Sequence, residues 1–119
     1  MTSHNLRGLL AQHIGSQQKF RHFASRAHYT EGVRHFAEQA GAFWLLDIIM
    51  TEPKILEGMR REGFIVIALN VKEGKGSLTA RRDTDCPNLF ERFIAYTDCP
   101  EGEWRFYFSN DMLMLPSEY

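Results

Sequence analysis

Five histidines, two cysteines and an aspartate set in an apolar run are the side chains of this chain best suited to chemistry. The histidines (His4, His13, His22, His28 and His35) all fall in the first 35 residues. None forms a His-Glu-x-x-His pair, and His28 and His35 stand seven apart across the expected start of a helix. A solvated basic surface fits this spacing better than a metal centre. Cys86 and Cys99 lie outside any Cys-x-x-Cys spacing. If Leu89 to Tyr96 is a strand, its rise of ~3.3 Å per residue holds them roughly 25 Å apart, far beyond the ~7 Å between Cα atoms that a disulfide tolerates. Free thiols suit a reducing cytoplasm. Asp47, inside Phe43-Trp44-Leu45-Leu46-Asp47-Ile48-Ile49-Met50, is the one charge in the most apolar run. A carboxylate buried there needs partners, so Asp47 is expected to lock a helix in place. A Walker loop, a Gly-x-Ser-x-Gly elbow, a dinucleotide fingerprint and a spaced carboxylate pair are all missing. Neither metal, cofactor nor catalytic residue is expected.

Charge adds a second kind of candidate. Residues 1–35 carry Arg7, Lys19, Arg21, Arg26 and Arg34 against Glu31, a balance of +4, while the other 84 residues balance at −5. Lys19, Arg21, Arg26 and Arg34 interleave with Phe20, His22, Phe23, His28 and Tyr29, and cations beside rings are what single-stranded nucleic acid uses. The same segment also reads as an arm whose rings pack while its arginines face water. The acidic remainder offers Asp83, Asp85, Glu101 and Glu103 to a basic partner groove, where opposite potentials steer encounter. A net charge of −1 over 119 residues excludes a generally polybasic binder. An apolar content of 44% excludes a disordered chain. The longest apolar stretch, residues 42–50, is far short of the ~20 residues a membrane span needs. No signal-peptide core follows the polar N-terminus.

These side chains need elements to hold them. One domain is expected at this length. Leu6, Leu9, Leu10 and Ile14 predict a short helix within residues 1–15, over Asn5 to His13, stopped by Gly15. Residues 16–29 show no clean period and read as an irregular basic arm. Thr30 is a good N-cap. From it Val33, Phe36, Ala37, Ala40, Phe43, Trp44 and Leu46 predict one long helix over about 30–50, buried through Phe43, Trp44 and Leu46. Pro53 marks its exit, and residues 54–61 add a further turn or two, making 30–61 helical. Residues 63–119 then change to period two. Strands are expected at Phe64–Val71, Ser77–Arg82, Leu89–Tyr96, Trp104–Phe108 and Met112–Leu115. Turns are expected at residues 72–76 and Asn110-Asp111. The sum is an α+β domain: N-terminal helices on a four- to five-stranded antiparallel meander. Thr84-Asp85-Cys86-Pro87 and Thr97-Asp98-Cys99-Pro100 bracket the third of these strands as two similar strand ends.

One string is distinctive beyond its composition. It runs His28-Tyr29-Thr30-Glu31-Gly32-Val33-Arg34-His35-Phe36-Ala37-Glu38-Gln39-Ala40-Gly41-Ala42-Phe43-Trp44-Leu45-Leu46-Asp47. With Phe20-Arg21-His22, Tyr96-Thr97-Asp98 and the ending Leu115-Pro116-Ser117-Glu118-Tyr119, it resembles a family of small bacterial proteins of unknown function. The resemblance covers residues 16–119 and leaves out the first helix. It implies relatives on bacterial chromosomes, plasmids and phages, most with Asp at the position of Glu31, and a shared pattern that omits both cysteines. It carries no activity.

The expectation is therefore a non-enzymatic, cytoplasmic protein-binding module, borne by a mobile element and acting on a host complex such as a defence nuclease. Nucleic-acid binding through residues 19–34 is the alternative, and a small enzyme comes third. A homodimer is compatible with either binding role.

Overall fold

A computed structural model describes residues 2–11 and 19–119. The expected helix end at His13 and Gly15, and residues 16–18 of the arm, lie outside the described residues. Helix α1 (Ser3–Leu10) is opened by Thr2, whose hydroxyl accepts from the Asn5 N–H. It buries Leu6 and Leu10. Two short strands follow, β1 (Lys19–Arg21) and β2 (His28–Thr30). Next come α2 (Glu31–Ala40), α3 (Phe43–Thr51) and α4 (Pro53–Glu62). The remaining strands are β3 (Ile65–Lys72), β4 (Lys75–Arg81), β5 (Asn88–Ile94), β6 (Gly102–Ser109) and β7 (Met112–Met114).

The class is α+β, but the sheet is not the expected meander. It has seven strands in the order β1-β2-β7-β6-β3-β4-β5, and β2 pairs parallel to β7. Strand β6 returns beside β3 instead of following β5, so β6-β3-β4-β5 forms a Greek key. The reason is apolar matching. Trp104, Phe106 and Phe108 fall directly opposite Leu69, Ile67 and Ile65, and all six are buried on one face. Beside β5, whose strand residues are all exposed or half-buried, those rings would lose that partner surface.

The crossover depends on the second Thr-Asp-Cys-Pro copy. Residues 95–101 pass over the β3–β4 turn, where the Thr97 N–H donates to the Gly74 carbonyl at 2.8 Å and the Glu73 N–H to Glu101 at 3.0 Å. Thr97 and Cys99 are buried, and the Trp104 indole N–H donates to the Pro100 carbonyl at 2.8 Å. Burial also pushes the Cys99 thiol up to about 12. The first copy stays on the surface in the β4–β5 connection, and both cysteines are free. Glu73-Gly74 and Asn110-Asp111 both take positive φ at their two central positions. That is the geometry of two-residue hairpin turns whose twist suits the flanking strands.

Three more expectations change. The helix over 30–50 is two helices: Gly41 adopts φ 62° as the C-cap of α2 and turns the chain before α3. The bend brings Leu45, Leu46, Ile49 and Met50 into the core and leaves Phe43 exposed and Trp44 half-buried. The arm is not irregular throughout, since residues 19–21 and 28–30 pair as an antiparallel ribbon at the sheet edge. Three residues per strand are too few to show a period, so only tertiary pairing defines them.

Candidate functional site

Strand alternation gives the sheet two unlike faces. The helices cover the face carrying Ile65, Ile67 and Leu69 of β3, Leu78 and Ala80 of β4, and the three rings of β6. Helices α1–α4 pack on that face. Among the described residues the opposite one is left open except where Tyr119, after the terminal turn Pro116–Glu118, lies against Tyr107 and Phe64. Across β6-β3-β4-β5 its register reads Arg105, Ala68, Thr79, Glu91 in one row and Glu103, Asn70, Ser77, Phe93 in the next. Short residues occupy the middle: Val66, Ala68 and Thr79 are buried, and Arg105, Asn70, Ser77, Glu91 and Phe93 stand exposed around them.

The charge of this face differs from that of the whole chain. Register places Lys19, Arg21, Lys72, Lys75, Arg81 and Arg105 on it against Glu91 and Glu103, a balance of +4 on a chain of net charge −1. Both acids are engaged, Glu103 with Arg105 and Glu91 with the Asn88 amide. Lys72 and Lys75, directly opposite each other, have no ion-pair partner among the described residues. Rings flank the trough. Phe93 is 68% and Tyr119 77% exposed. Tyr119 meets Phe64 and Tyr107 edge-on, at 5.3 and 5.5 Å between centroids. The Thr79 hydroxyl is buried and has no hydrogen-bond partner among the described residues.

The residues singled out from sequence are distributed differently. Phe20 and Tyr29 stack on each other at 5.7 Å, half-buried, and the Arg34 guanidinium lies over Phe20 while pairing with Glu38. Phe20 and Tyr29 are thus occupied internally, whereas Phe23, in the β1–β2 turn, is 88% exposed. Lys19 and Arg21 project on the uncovered face at the edge strand, and Arg26 sits in the β1–β2 turn. The acidic positions do not form one patch: Asp83 and Asp85 follow the end of β4, whereas Glu101 and Glu103 stand at the start of β6, the opposite end of the sheet. Sequence reasoning passed over Arg105, Arg81, Lys72, Lys75 and Phe93. Period-two alternation within each strand was the available signal, but it cannot say which face the helices take.

Asp47 is not buried. Its side chain is 53% exposed, and the buried group is His22, at 3%. The His22 Nδ1 accepts from the Ala24 N–H at 3.2 Å, so Nε2 holds the proton and donates to Asp47 at 2.8 Å. With both nitrogens engaged, the imidazole pins the β1–β2 turn to α3 and has none left for a substrate. Asp47→Asn retains an acceptor, whereas Asp47→Ala leaves the buried N–H unpaired. Urea unfolding should therefore show Asp47→Ala about 1–2 kcal/mol less stable than wild type and Asp47→Asn well under half of that. Equal losses would remove the hydrogen bond from the account.

Thr30 joins the two ends of the sequence. Its hydroxyl accepts from the Val33 N–H as the N-cap of α2 and donates to Glu118 at 2.6 Å. The Glu118 carboxylate also accepts from the N–H groups of Gly32 (3.2 Å) and Leu115 (3.0 Å), a favourable place for an anion at a helix start. Gly32 has no room for a Cβ, which would come within 2.6 Å of Glu118 and 2.7 Å of Leu115. The Tyr-Thr-Glu-Gly and Leu-Pro-Ser-Glu-Tyr strings are thus one contact.

Among the described residues no group of three His, Cys, Asp or Glu could hold a metal ion, and no helix is long and apolar enough to cross a membrane. No curated protein and no solved structure matches the chain. A family model does match, over residues 4–119, and so takes in the first helix that the resemblance had left out. The chain belongs to the family of unknown function DUF6876.

Proposed function

We propose that the protein is a non-enzymatic binding module whose docking surface is the uncovered face of the sheet and whose partner is an anionic macromolecule. The observation that carries this reading is the +4 balance of that face on a chain of net charge −1. A one-signed field over a partly apolar floor raises local partner concentration and speeds association. The acidic decoy for a basic host groove, bacterial and carried by mobile elements, loses support by comparison, because its four acidic positions are divided between the two ends of the sheet. The aromatic arm loses support in part, because Phe20 and Tyr29 are spent on packing and only Phe23 of its phenyl and phenol rings stands free in water. The engagement of His22 and Asp47 with each other favours a binding role over a catalytic one.

Heparin chromatography at pH 7.5 tests the reading. The wild-type protein, with a sequence pI near 6.5, should be retained at low salt despite its net negative charge. Replacing Lys72, Lys75, Arg81 and Arg105 by Ala should bring it into the flow-through. Replacing Arg34, Lys54, Arg60 and Arg61, the same charge taken from the helices, should leave retention nearly intact. Equal losses from the two sets would place the binding field elsewhere.

A further inference from the structure

We infer that the uncovered sheet face binds single-stranded nucleic acid, its cations holding phosphates and its exposed rings stacking bases. The inference rests on the reading of that face as the docking surface and names the partner class. Three features separate this partner from an acidic protein. Phe93 and Tyr119 are large rings left in water, and an exposed ring is a sequence-tolerant stacking platform for an unpaired base. They flank the cations without joining them. Phe93 lies on β5 in the row of Glu103, and Tyr119 packs on Tyr107 of β6, three strand spacings across and four residues along, or about 20 Å. Arg105, Arg81 and the Lys72–Lys75 pair are distributed between and beside them, so a strand crossing the face meets rings at both sides and cations along the way. Finally, Thr79 is only 7% exposed, its hydroxyl has no partner among the described residues, and it belongs to this face between Ala68 and Glu91. A base edge or phosphate that reaches between the exposed side chains around it gives the hydroxyl a hydrogen bond.

A duplex fits less well. Its major groove, about 12 Å wide, admits a helix or a two-stranded ribbon, while this face spans four long strands at about 4.8 Å each. Paired bases also offer no free π-face to Phe93 and Tyr119. Glu103 pairs with Arg105 and so takes up part of that cation, and Glu91 keeps its charge beside the neutral Asn88 amide. That leaves Lys72, Lys75 and Arg81 as cations of the face with no ion-pair partner among the described residues.

Fluorescence anisotropy with the labelled oligonucleotides dT20 and rU20, titrated across a range of salt, tests the inference. Wild type should bind at least one of them at micromolar concentration near physiological salt. The Lys72→Ala/Lys75→Ala/Arg81→Ala/Arg105→Ala variant should flatten the slope of log affinity against log salt by about 2–3, from about 0.7 for each phosphate that is no longer neutralised, Arg105 being shared with Glu103. The milder Lys72→Ala/Lys75→Ala variant, confined to two exposed positions, should flatten it by about 1 and guards against misfolding of the larger set. Phe93→Ala should weaken binding about five- to a hundredfold with the slope unchanged. An intact slope in the cation variants, or unchanged affinity in Phe93→Ala, would overturn the inference. So would a protein that ignores both oligonucleotides but binds polyglutamate through the same lysines and arginines. In that last case heparin retention still depends on the face, so the docking surface stands and only the partner class fails.

Discussion

Phe36→Ala should lower stability by about 3–5 kcal/mol, the largest loss expected from any single ring in this protein. Phe36 is fully buried on α2 and lies 5.1 Å from Phe106, edge to face, and 5.5 Å from Trp104. It is the point where the helix layer meets the paired apolar rows of β3 and β6. Edge-to-face packing adds to area burial, and the void left by truncation lies between a rigid helix and a rigid sheet, where little can collapse into it. For a domain of ordinary marginal stability such a loss removes much of the folding free energy. Trp44→Ala, although it deletes a larger ring, should cost less, because Trp44 is only half-buried. Chemical denaturation of both variants checks the order. A smaller loss for Phe36→Ala than for Trp44→Ala would mean that α3, and not α2, anchors the sheet.

Glu118→Ala should cost about 2–4 kcal/mol although it stands beside the last residue of the chain. The carboxylate accepts three hydrogen bonds, from Thr30, Gly32 and Leu115, and bonds to a charged acceptor are each stronger than neutral ones. Its removal leaves the first turn of α2 short of an acceptor and frees the terminal turn Pro116–Glu118 from the helix. Glu118→Gln keeps the shape but loses the charge, and should fall between the two. Gly32→Ala should also be destabilising in the wild-type background, because its Cβ meets Glu118 and Leu115. It should be milder when combined with Glu118→Ala, where one of the two obstacles is gone. A double-mutant cycle measures that coupling. Additive losses would show that the two residues act independently.

Residues with strong local preferences were legible from the sequence. Thr30 could be read as a cap, because a hydroxyl before a helical period has one obvious backbone partner. Five strands, β3 to β7, could be placed to within a few residues from their alternation and from turn chemistry at Glu73-Gly74 and Asn110-Asp111. Such signals depend on neighbours within a few positions, and tertiary context did not override them here. Asp47 stood out as the only charge in its run, but its environment did not follow. The bend at Gly41 turned it outward and put the buried polar atom on His22, 25 residues away.

The order of the strands, the parallel β2–β7 pair and the identity of the uncovered face were settled only in three dimensions. Within one strand, alternation is symmetric. Arg105 and Tyr107 face one way and Trp104, Phe106 and Phe108 the other, and nothing local says how the strand is flanked. That choice belongs to matching between distant segments. Trp104, Phe106 and Phe108 find Leu69, Ile67 and Ile65 across the ladder, and α4 together with Phe36 of α2 then covers the combined apolar surface. The cations left on the opposite side come from β1, β3, β4 and β6, scattered from residue 19 to residue 105. Each looks like an ordinary solvated side chain in the sequence. They share a surface because backbone pairing aligns their strands with the same faces outward, so the candidate site is a product of register.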